Sequence, residues 1–269
     1  MKICFSTLAC PEWDVARILD AASENQIRGI DFRGIGSEID VTKTADFTVR
    51  LEQTLAELRR RGLEMPCLNT SVTLVTAAPE RWQMMLDECQ RYAGLAEKTG
   101  TKFLRVFGGA VPKEMTRDEG RNLAKRHLRQ IVKICQPHGC MPLLETHDDW
   151  SRSDEVRELL SELQPTDVGV LWDLEHPYRK GEKPLDAARG VERYLKHVHI
   201  KDSVRVEPKN SPRLLGEGTL PLGELLGALK AVNYDGWICL ETEKRWHPEA
   251  PDPEVSIPQF ANWMRGHWG

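Results

Sequence analysis

No run in this 269-residue chain approaches the ~20 apolar residues of a membrane span. Its first apolar segment is not followed by a Gly-x-Gly-x-x-Gly turn, and without that phosphate-binding turn a dinucleotide-binding Rossmann reading loses its main support. The seven cysteines are odd in number and form no Cys-x-x-Cys pair, and Cys4, Cys67 and Cys239 fall inside apolar segments. They read as reduced, buried thiols and not as a disulfide framework. Charge of neither sign dominates: 37 Lys+Arg stand against 41 Asp+Glu, a formal net charge of −4. That balance lacks the electrostatic footprint of a protein that binds nucleic acid or an acidic membrane surface, so the expected partner is a small, neutral or modestly charged molecule. The opening residues lack the apolar region and small-residue cleavage site of a signal peptide, which gives a cytoplasmic expectation. No linker, low-complexity segment or charge block interrupts the chain, and residues 1–269 are expected to form one domain.

What is present is regular alternation. Lys2–Ala9 reads as a strand, Glu12–Asn25 as a helix with Val15, Ile18, Leu19 and Ala22 at helical spacing, and Gly29–Gly34 as a second strand. Thr44–Gly62 reads as a helix stopped by Arg-Arg-Arg-Gly, and Leu63–Ser71 as strand three. The pattern continues through strands near Lys102, Met141, Val168, His197 and Trp237, with helices between them and a closing apolar segment from Pro253. Strict alternation implies right-handed crossovers and a parallel sheet. Eight units fit a closed (β/α)8 barrel, an α/β fold that commonly reaches about 250 residues as one domain and carries its active site at the C-terminal ends of the strands. The longest irregular piece, Ser203–Thr219, is expected to lie above that site with Arg205, Lys209, Arg213 and Glu217.

Four successive strands share a form: an apolar run that breaks into carboxylate or histidine. They are Met141-Pro-Leu-Leu-Glu-Thr-His-Asp148, Val168-Gly-Val-Leu-Trp-Asp-Leu-Glu-His176, His197-Val-His-Ile-Lys-Asp-Ser203 and Trp237-Ile-Cys-Leu-Glu-Thr-Glu243. Side chains alternate between the faces of a strand, so Leu143 shares a face with Glu145 and His147, Leu171 with Asp173, His197 with His199 and Lys201, and Cys239 with Glu241. Charged groups are rarely buried without a partner, and one shared cation would serve all four strand ends. Glu145, Asp173, His199 and Glu241 supply three carboxylates and one imidazole, a mainly hard set suited to one divalent ion, Mn²⁺ or Mg²⁺, with Co²⁺ or Zn²⁺ also accommodated. The alternative is that Glu145 and Glu241 merely pair with buried bases such as Arg105 and Lys201.

The order and spacing of five motifs, Leu-Glu-Thr-His at 144–147, Trp-Asp-x-x-His at 172–176, His-x-His-x-Lys-Asp at 197–202, Gly-Glu-Gly at 216–218 and Tyr-Asp-Gly-Trp-x-x-x-Glu at 234–241, resemble the xylose-isomerase-like TIM-barrel superfamily over nearly the whole chain. That group includes ketose 3-epimerases, hydroxypyruvate isomerase and inosose dehydratase, with endonuclease IV a distant relative. The resemblance implies that Glu145, Asp173, His199 and Glu241 bind the metal, that the two glutamates also move protons, and that His176 and Arg205 contact substrate oxygens. Asn69, Phe107 and Gly108 stand where endonuclease IV-like enzymes place additional histidines, which argues against DNA repair. Lys201-Asp202, uncommon in the epimerases, occurs in inosose dehydratase-like members.

The expected activity is therefore a metal-dependent sugar isomerase or epimerase acting on a keto-sugar or polyol ketone through a metal-stabilised enediolate, with Glu145 and Glu241 as the acid/base pair. An inosose-type dehydratase at the same metal site and a non-catalytic sugar-binding barrel are the alternatives. His147, Lys201, Arg33 and Glu217 join His176 and Arg205 as candidate substrate contacts. Lys201 has an ion pair with Glu217 or Asp202 as its alternative role, and Arg105 is expected to pair with Asp31. Trp13, Trp172 and Trp246 are candidate pocket walls, with packing as their alternative role. His197 is read as core, and His127, His138 and His267 as surface positions. An exposed apolar patch would support a homodimer or homotetramer.

Overall fold

The computed structural model describes residues 2–206 and 209–268. Its chain packs as two compact units, one from residues up to Pro66 together with Val198 onward, the other from Cys67 to His197. Eight parallel strands run in the order β2-β1-β10-β7-β6-β5-β4-β3. They are β1 (Lys2–Ser6), β2 (Gly29–Asp31), β3 (Cys67–Thr73), β4 (Phe103–Phe107), β5 (Met141–Glu145), β6 (Gly169–Asp173), β7 (Leu195–Ile200) and β10 (Trp237–Leu240). β8 (Asp202–Val206) and β9 (Lys209–Arg213) form a separate antiparallel pair.

In the unit from Cys67 to His197, helices follow the strands: α3 (Pro79–Thr99), α4 (Arg117–Cys135), α5 (Ser153–Leu160), α6 (Glu175–Arg179) and α7 (Pro184–Val191). α4 opens on a capping box, in which the Glu119 amide donates to Thr116 Oγ1 at 3.2 Å and the Thr116 amide to the Glu119 carboxylate at 2.7 Å. Register pairs Cys67 with Phe103, Phe103 with Met141, Arg105 with Leu143, and Leu143 with Gly169. Registered residues of parallel strands share a face, so one face runs from an apolar layer of Cys67, Leu143 and Leu171, with Phe103 and Met141 packed against it, into polar residues farther along the strands. Those are Asn69, Arg105, Glu145 and Asp173, all buried.

The other unit repeats this plan. α1 (Val15–Glu24) and α2 (Leu51–Arg61) follow β1 and β2, and α8 (Leu222–Ala231) and α9 (Pro253–His267) flank β10. Cys4 registers with Cys239 and Gly29, and Ser6 with Asp31; Cys4, Trp237 and Cys239 make the apolar layer. Gly29 is required there, because a Cβ would stand 2.6 Å from the Trp237 ring. β2 is linked to the chain just before β3 by a parallel bridge between Gly29 and Glu64, with the Ile30 amide donating to the Glu64 carbonyl at 3.0 Å.

Several boundaries differ from expectation. Strand one ends at Ser6, whose hydroxyl caps the 3₁₀ turn Thr7–Ala9. Strand two stops at Asp31. α2 begins only at Leu51, after 3₁₀ turns at Val41–Lys43 and Ala45–Phe47. β3 starts at Cys67 because Leu63 still bonds back to Leu58 and Pro66 has no amide to donate to a ladder. The stretch expected to be irregular, Ser203–Thr219, contains most of the β8–β9 hairpin, with Val204 opposite Ser211 and Arg205 opposite Asn210. His127 is buried, its Nδ1 2.7 Å from the Leu74 carbonyl and its ring stacked 3.6 Å from Trp82. Among the described residues no helix is long and apolar enough to cross a membrane.

Candidate metal centre

Glu145 closes β5 and is 1 % exposed. Arg105, two residues short of the end of β4 and equally buried, places Nη1 3.1 Å from Glu145 Oε2; its guanidinium also lies 3.8 Å over the Phe107 ring. Arg105 thus pairs with Glu145, where Asp31 had been expected. Asp173 closes β6 and is fully buried. Thr146, the residue after Glu145, fixes its backbone twice: the Asp173 amide donates to Thr146 Oγ1 at 3.0 Å, and that hydroxyl donates to the Asp173 carbonyl at 3.3 Å. Asp173 Oδ1 accepts the Glu175 amide at 2.8 Å, which turns the chain into α6. His176 then swings its Nδ1 to 2.7 Å from the Thr146 carbonyl. Its ring meets His147 edge to face at 4.6 Å, and His147 Nδ1 lies 2.9 Å from Asp148 Oδ1.

His199 lies on β7 and Glu241 follows β10, the Glu241 amide donating to the Ile200 carbonyl at 3.0 Å. His199 Nδ1 is 3.0 Å from Glu241 Oε1, and its Nε2 is 3.6 Å from Asp31 Oδ2. Lys201 places Nζ 3.2 Å from Glu241 Oε2 and 2.6 Å from Glu243 Oε1. Glu241 and Glu243 thus pair with Lys201, whose alternative role was an ion pair with Glu217 or Asp202. Both ion pairs that the sequence left open as alternatives, Arg105 with Glu145 and Lys201 with Glu241, are present.

Within each unit the candidate ligands stay together. Glu145 and Asp173 close the neighbouring strands β5 and β6, and His199 Nδ1 meets Glu241 Oε1; all four are buried. Three carboxylates and an imidazole are a donor set that suits a hard divalent cation. Cys4, Asp31 and Cys239 are buried as well, and so is His197, the histidine read as core. Burial, the neighbouring Cys4 and the charge of Asp31 push the Cys239 thiol well above the ordinary thiol range.

The remaining candidates are placed less directly. Arg33 is buried beyond β2, its backbone amide donating to Thr7 Oγ1 at 2.8 Å and its guanidinium to the Ile39 carbonyl at 3.3 Å. Arg205 is exposed on β8 and Glu217 is exposed on the loop after β9. Of the tryptophans, Trp172 is buried and alternates in sequence with Asp173, which sets it on the opposite face of β6; Trp246 is 53 % exposed. Trp13 is half-buried, with Arg17 over its ring at 4.6 Å. Two contributors escaped the sequence reading. Glu243 was detectable, since it follows Glu241 at the two-residue period. Asp202 was noted only within Lys-Asp and as a possible partner of Lys201: its buried carboxylate accepts the amides of Ser203, Gly216 and Gly218 at 2.9 Å and that of Leu220 at 3.2 Å. This explains Gly-Glu-Gly, because a Cβ on Gly218 would stand 2.0 Å from Asp202 Oδ1.

Comparison with known proteins follows the same lines. The chain is 25% identical over 229 residues to the uncharacterized protein YihM of Escherichia coli (strain K12), covering 82% of this chain and 64% of that protein. It is 28% identical over 122 residues to an inosose dehydratase of Geobacillus thermodenitrificans, covering 39% of this chain and 38% of the dehydratase. The chain thus spans less than two thirds of the length of these curated relatives. Among solved structures, the probable 3-DHS dehydratase AsbF of Bacillus anthracis superposes with a TM-score of 0.81 over 100% of both chains at 19% identity, a likeness of fold. The xylose isomerase-like TIM barrel model matches residues 19–267. The protein, with its eight parallel strands and surrounding helices, therefore belongs to the xylose isomerase-like TIM barrel family.

Proposed function

We propose that this protein is a divalent-metal-dependent isomerase or epimerase of a keto-sugar or polyol ketone, with Glu145, Asp173, His199 and Glu241 holding the ion. The observation that supports this reading is the burial of all four donors, with Glu145 and Asp173 closing adjacent strands and Glu241 against the His199 ring. When bound, Mn²⁺, Mg²⁺ or a similar ion supplies Lewis-acid polarisation of the ketone oxygen. The chain's own residues do the rest. Glu145, held by Arg105 at 3.1 Å, and Glu241, held by Lys201 at 3.2 Å, are the groups that take the proton from the carbon beside the ketone and return one. Return to the same carbon inverts it; return to the neighbouring carbon isomerises the substrate. His176 and His147, set edge to face, offer ring nitrogens to substrate hydroxyls, and Arg205 and Glu217 are the candidates from the hairpin and the loop after it.

A second reading rests on Lys201. Its ammonium, paired with Glu241 and Glu243, would give a proton to a hydroxyl that leaves from the carbon next to the deprotonated one, which would make the reaction a dehydration. The dehydratase relatives point the same way. A screen of the metal-loaded protein over ketoses, inososes and hydroxypyruvate in deuterated solvent separates the two: an epimerase or isomerase exchanges the proton beside the carbonyl without net loss of water, whereas a dehydratase accumulates an unsaturated ketone that absorbs in the ultraviolet. Glu145→Gln or Glu241→Gln should lower turnover by ~10²-fold or more. Undiminished turnover and exchange in both variants would remove the proposed proton carriers.

A further inference from the structure

Asp31 is a fully buried carboxylate at the end of β2, and the proposed mechanism gives it no part. Its Oδ2 lies 3.6 Å from Nε2 of His199, while Nδ1 of the same ring lies 3.0 Å from Glu241 Oε1. Imidazole binds a cation only through a nitrogen that carries no proton, and a neutral ring carries its one proton on the other nitrogen. The two sides of this ring therefore have different duties. An ion shared with Glu241 must be met by the Nδ1 lone pair, which leaves the N–H on Nε2, on the side where Asp31 sits. Were the proton on Nδ1 instead, it would bond to Glu241 and the ring would turn its lone pair away from the other donors. We propose that Asp31 is a positioning residue that holds His199 with its proton on Nε2 and aims Nδ1 at the cation. The inference rests on the metal reading given above.

The local sequence supports this arrangement. Asp31 ends a strand only three residues long and registers with Ser6 of β1, and β1 in turn pairs with β10, which leads into Glu241. The carboxylate is thus fixed by backbone ladders on the same sheet that carries the ligands, and 3.6 Å leaves a short approach to make a hydrogen bond as the ring rotates toward a bound ion. A carboxylate behind a metal-bound histidine also raises the donor strength of the ring, and removing such a group typically weakens metal binding by about 10- to 100-fold.

The test is calorimetric titration of the metal-stripped protein, Asp31→Asn and Asp31→Ala with Mn²⁺ and with Zn²⁺, together with nitrogen-15 spectra of the histidine rings in the Zn²⁺-loaded forms. The expected result is about a 10-fold weaker Kd in Asp31→Asn, which keeps the shape but loses the charge, and about 100-fold in Asp31→Ala, with the His199 signal of the unaltered protein showing a protonated Nε2 and a metal-bound Nδ1. The inference is overturned if both variants bind with the original Kd, if Nε2 is the bound nitrogen, or if two ions enter per chain and one is lost in the variants, since Asp31 would then itself be a ligand. It is likewise overturned if Asp31→Asn only lowers the unfolding temperature of the metal-free protein and leaves Kd unchanged, the signature of a purely structural role. Should Asp31→Ala fail to fold, Asp31→Asn alone decides. If the unaltered protein takes up no ion at all, the metal reading itself fails and carries this inference with it.

Discussion

Replacing Asp202 with Ala should release the hairpin that carries Arg205. The carboxylate accepts four backbone amides, from Ser203, Gly216, Gly218 and Leu220, at 2.9 to 3.2 Å, and it ties both ends of the hairpin and the loop after it to one buried point. Hydrogen bonds to a charged group contribute about 1.5–3 kcal/mol each. The full sum is not lost, because Gly216 is exposed and water reaches its amide once the segment loosens. Counting the two amides nearest the buried end of the turn as fully lost gives about 3–6 kcal/mol in favour of local opening. At 1.4 kcal/mol per factor of ten, exchange of the amides between 203 and 220 should accelerate by at least ~100-fold, while the amides of β10 and α8 keep their protection. Asp202→Asn should behave almost as badly, since an amide NH₂ cannot accept from both Gly216 and Gly218. The assay is hydrogen–deuterium exchange resolved by peptide. Unchanged exchange across 203–220 in the Ala variant would refute the assignment of Asp202 as the clamp, and a uniform loss of protection over the whole chain would show that the hairpin does not open as a separate unit.

Other consequences follow from the same contacts. Arg105→Met should destabilise the protein by about 3–5 kcal/mol, because it removes the guanidinium paired with the buried Glu145 carboxylate; pairing it with Glu145→Gln should restore much of the loss, as read by denaturant titration of the metal-free protein, and equal destabilisation in the single and double variants would argue against the pair. Gly218→Ala should reproduce the exchange defect of Asp202→Ala, because its Cβ would collide with the Asp202 carboxylate. Burial holds the His127 imidazole below the ordinary histidine range, partly opposed by its bond to the Leu74 carbonyl. The folded state therefore binds fewer protons at this site than the unfolded chain, so stability at this site is full above the unfolded histidine pKa of about 6.5 and falls as pH drops below it, down to the folded value. His127→Gln should flatten that part of the profile in thermal unfolding between pH 7 and 5, and an unaltered pH slope would count against it.

The repeating pattern of strand and helix was legible because each strand is a short apolar run and each helix carries its own 3.6-residue stripe; the order of the eight parallel strands follows from that alternation. Three of the four candidate ligands stood out for a related reason. A two-residue period that starts on Leu143, Leu171 or Cys239 in the apolar layer arrives at Glu145, Asp173 or Glu241, and the layer is visible as sequence. What periodicity does not carry is which cation a buried carboxylate chooses. Arg105 is registered with Leu143, one pleat behind Glu145, and that diagonal depends on strand stagger; the expected partner, Asp31, instead faces His199. The hairpin was hard to see because its first strand, Asp-Ser-Val-Arg-Val, alternates only Val204 and Val206 and its second, Lys-Asn-Ser-Pro-Arg, has no apolar residue but a proline, while the Asp202 carboxylate that fixes it lies outside any periodic signal. His127 looked like a surface residue because its neighbours on α4 are Arg126 and Arg129, yet the Trp82 ring stacks on it.

Metal uptake is the most direct test of the four buried donors. Protein stripped of metal, then titrated with Mn²⁺ and analysed for bound ion after gel filtration, should take up about one ion per chain, and Asp173→Ala and His199→Ala should each lose it while keeping the circular dichroism of the folded chain, since each removes a donor from the buried set of four. Uptake of no ion by the unaltered protein, or full retention of one ion by both variants, would contradict the assignment of Glu145, Asp173, His199 and Glu241 as its metal centre.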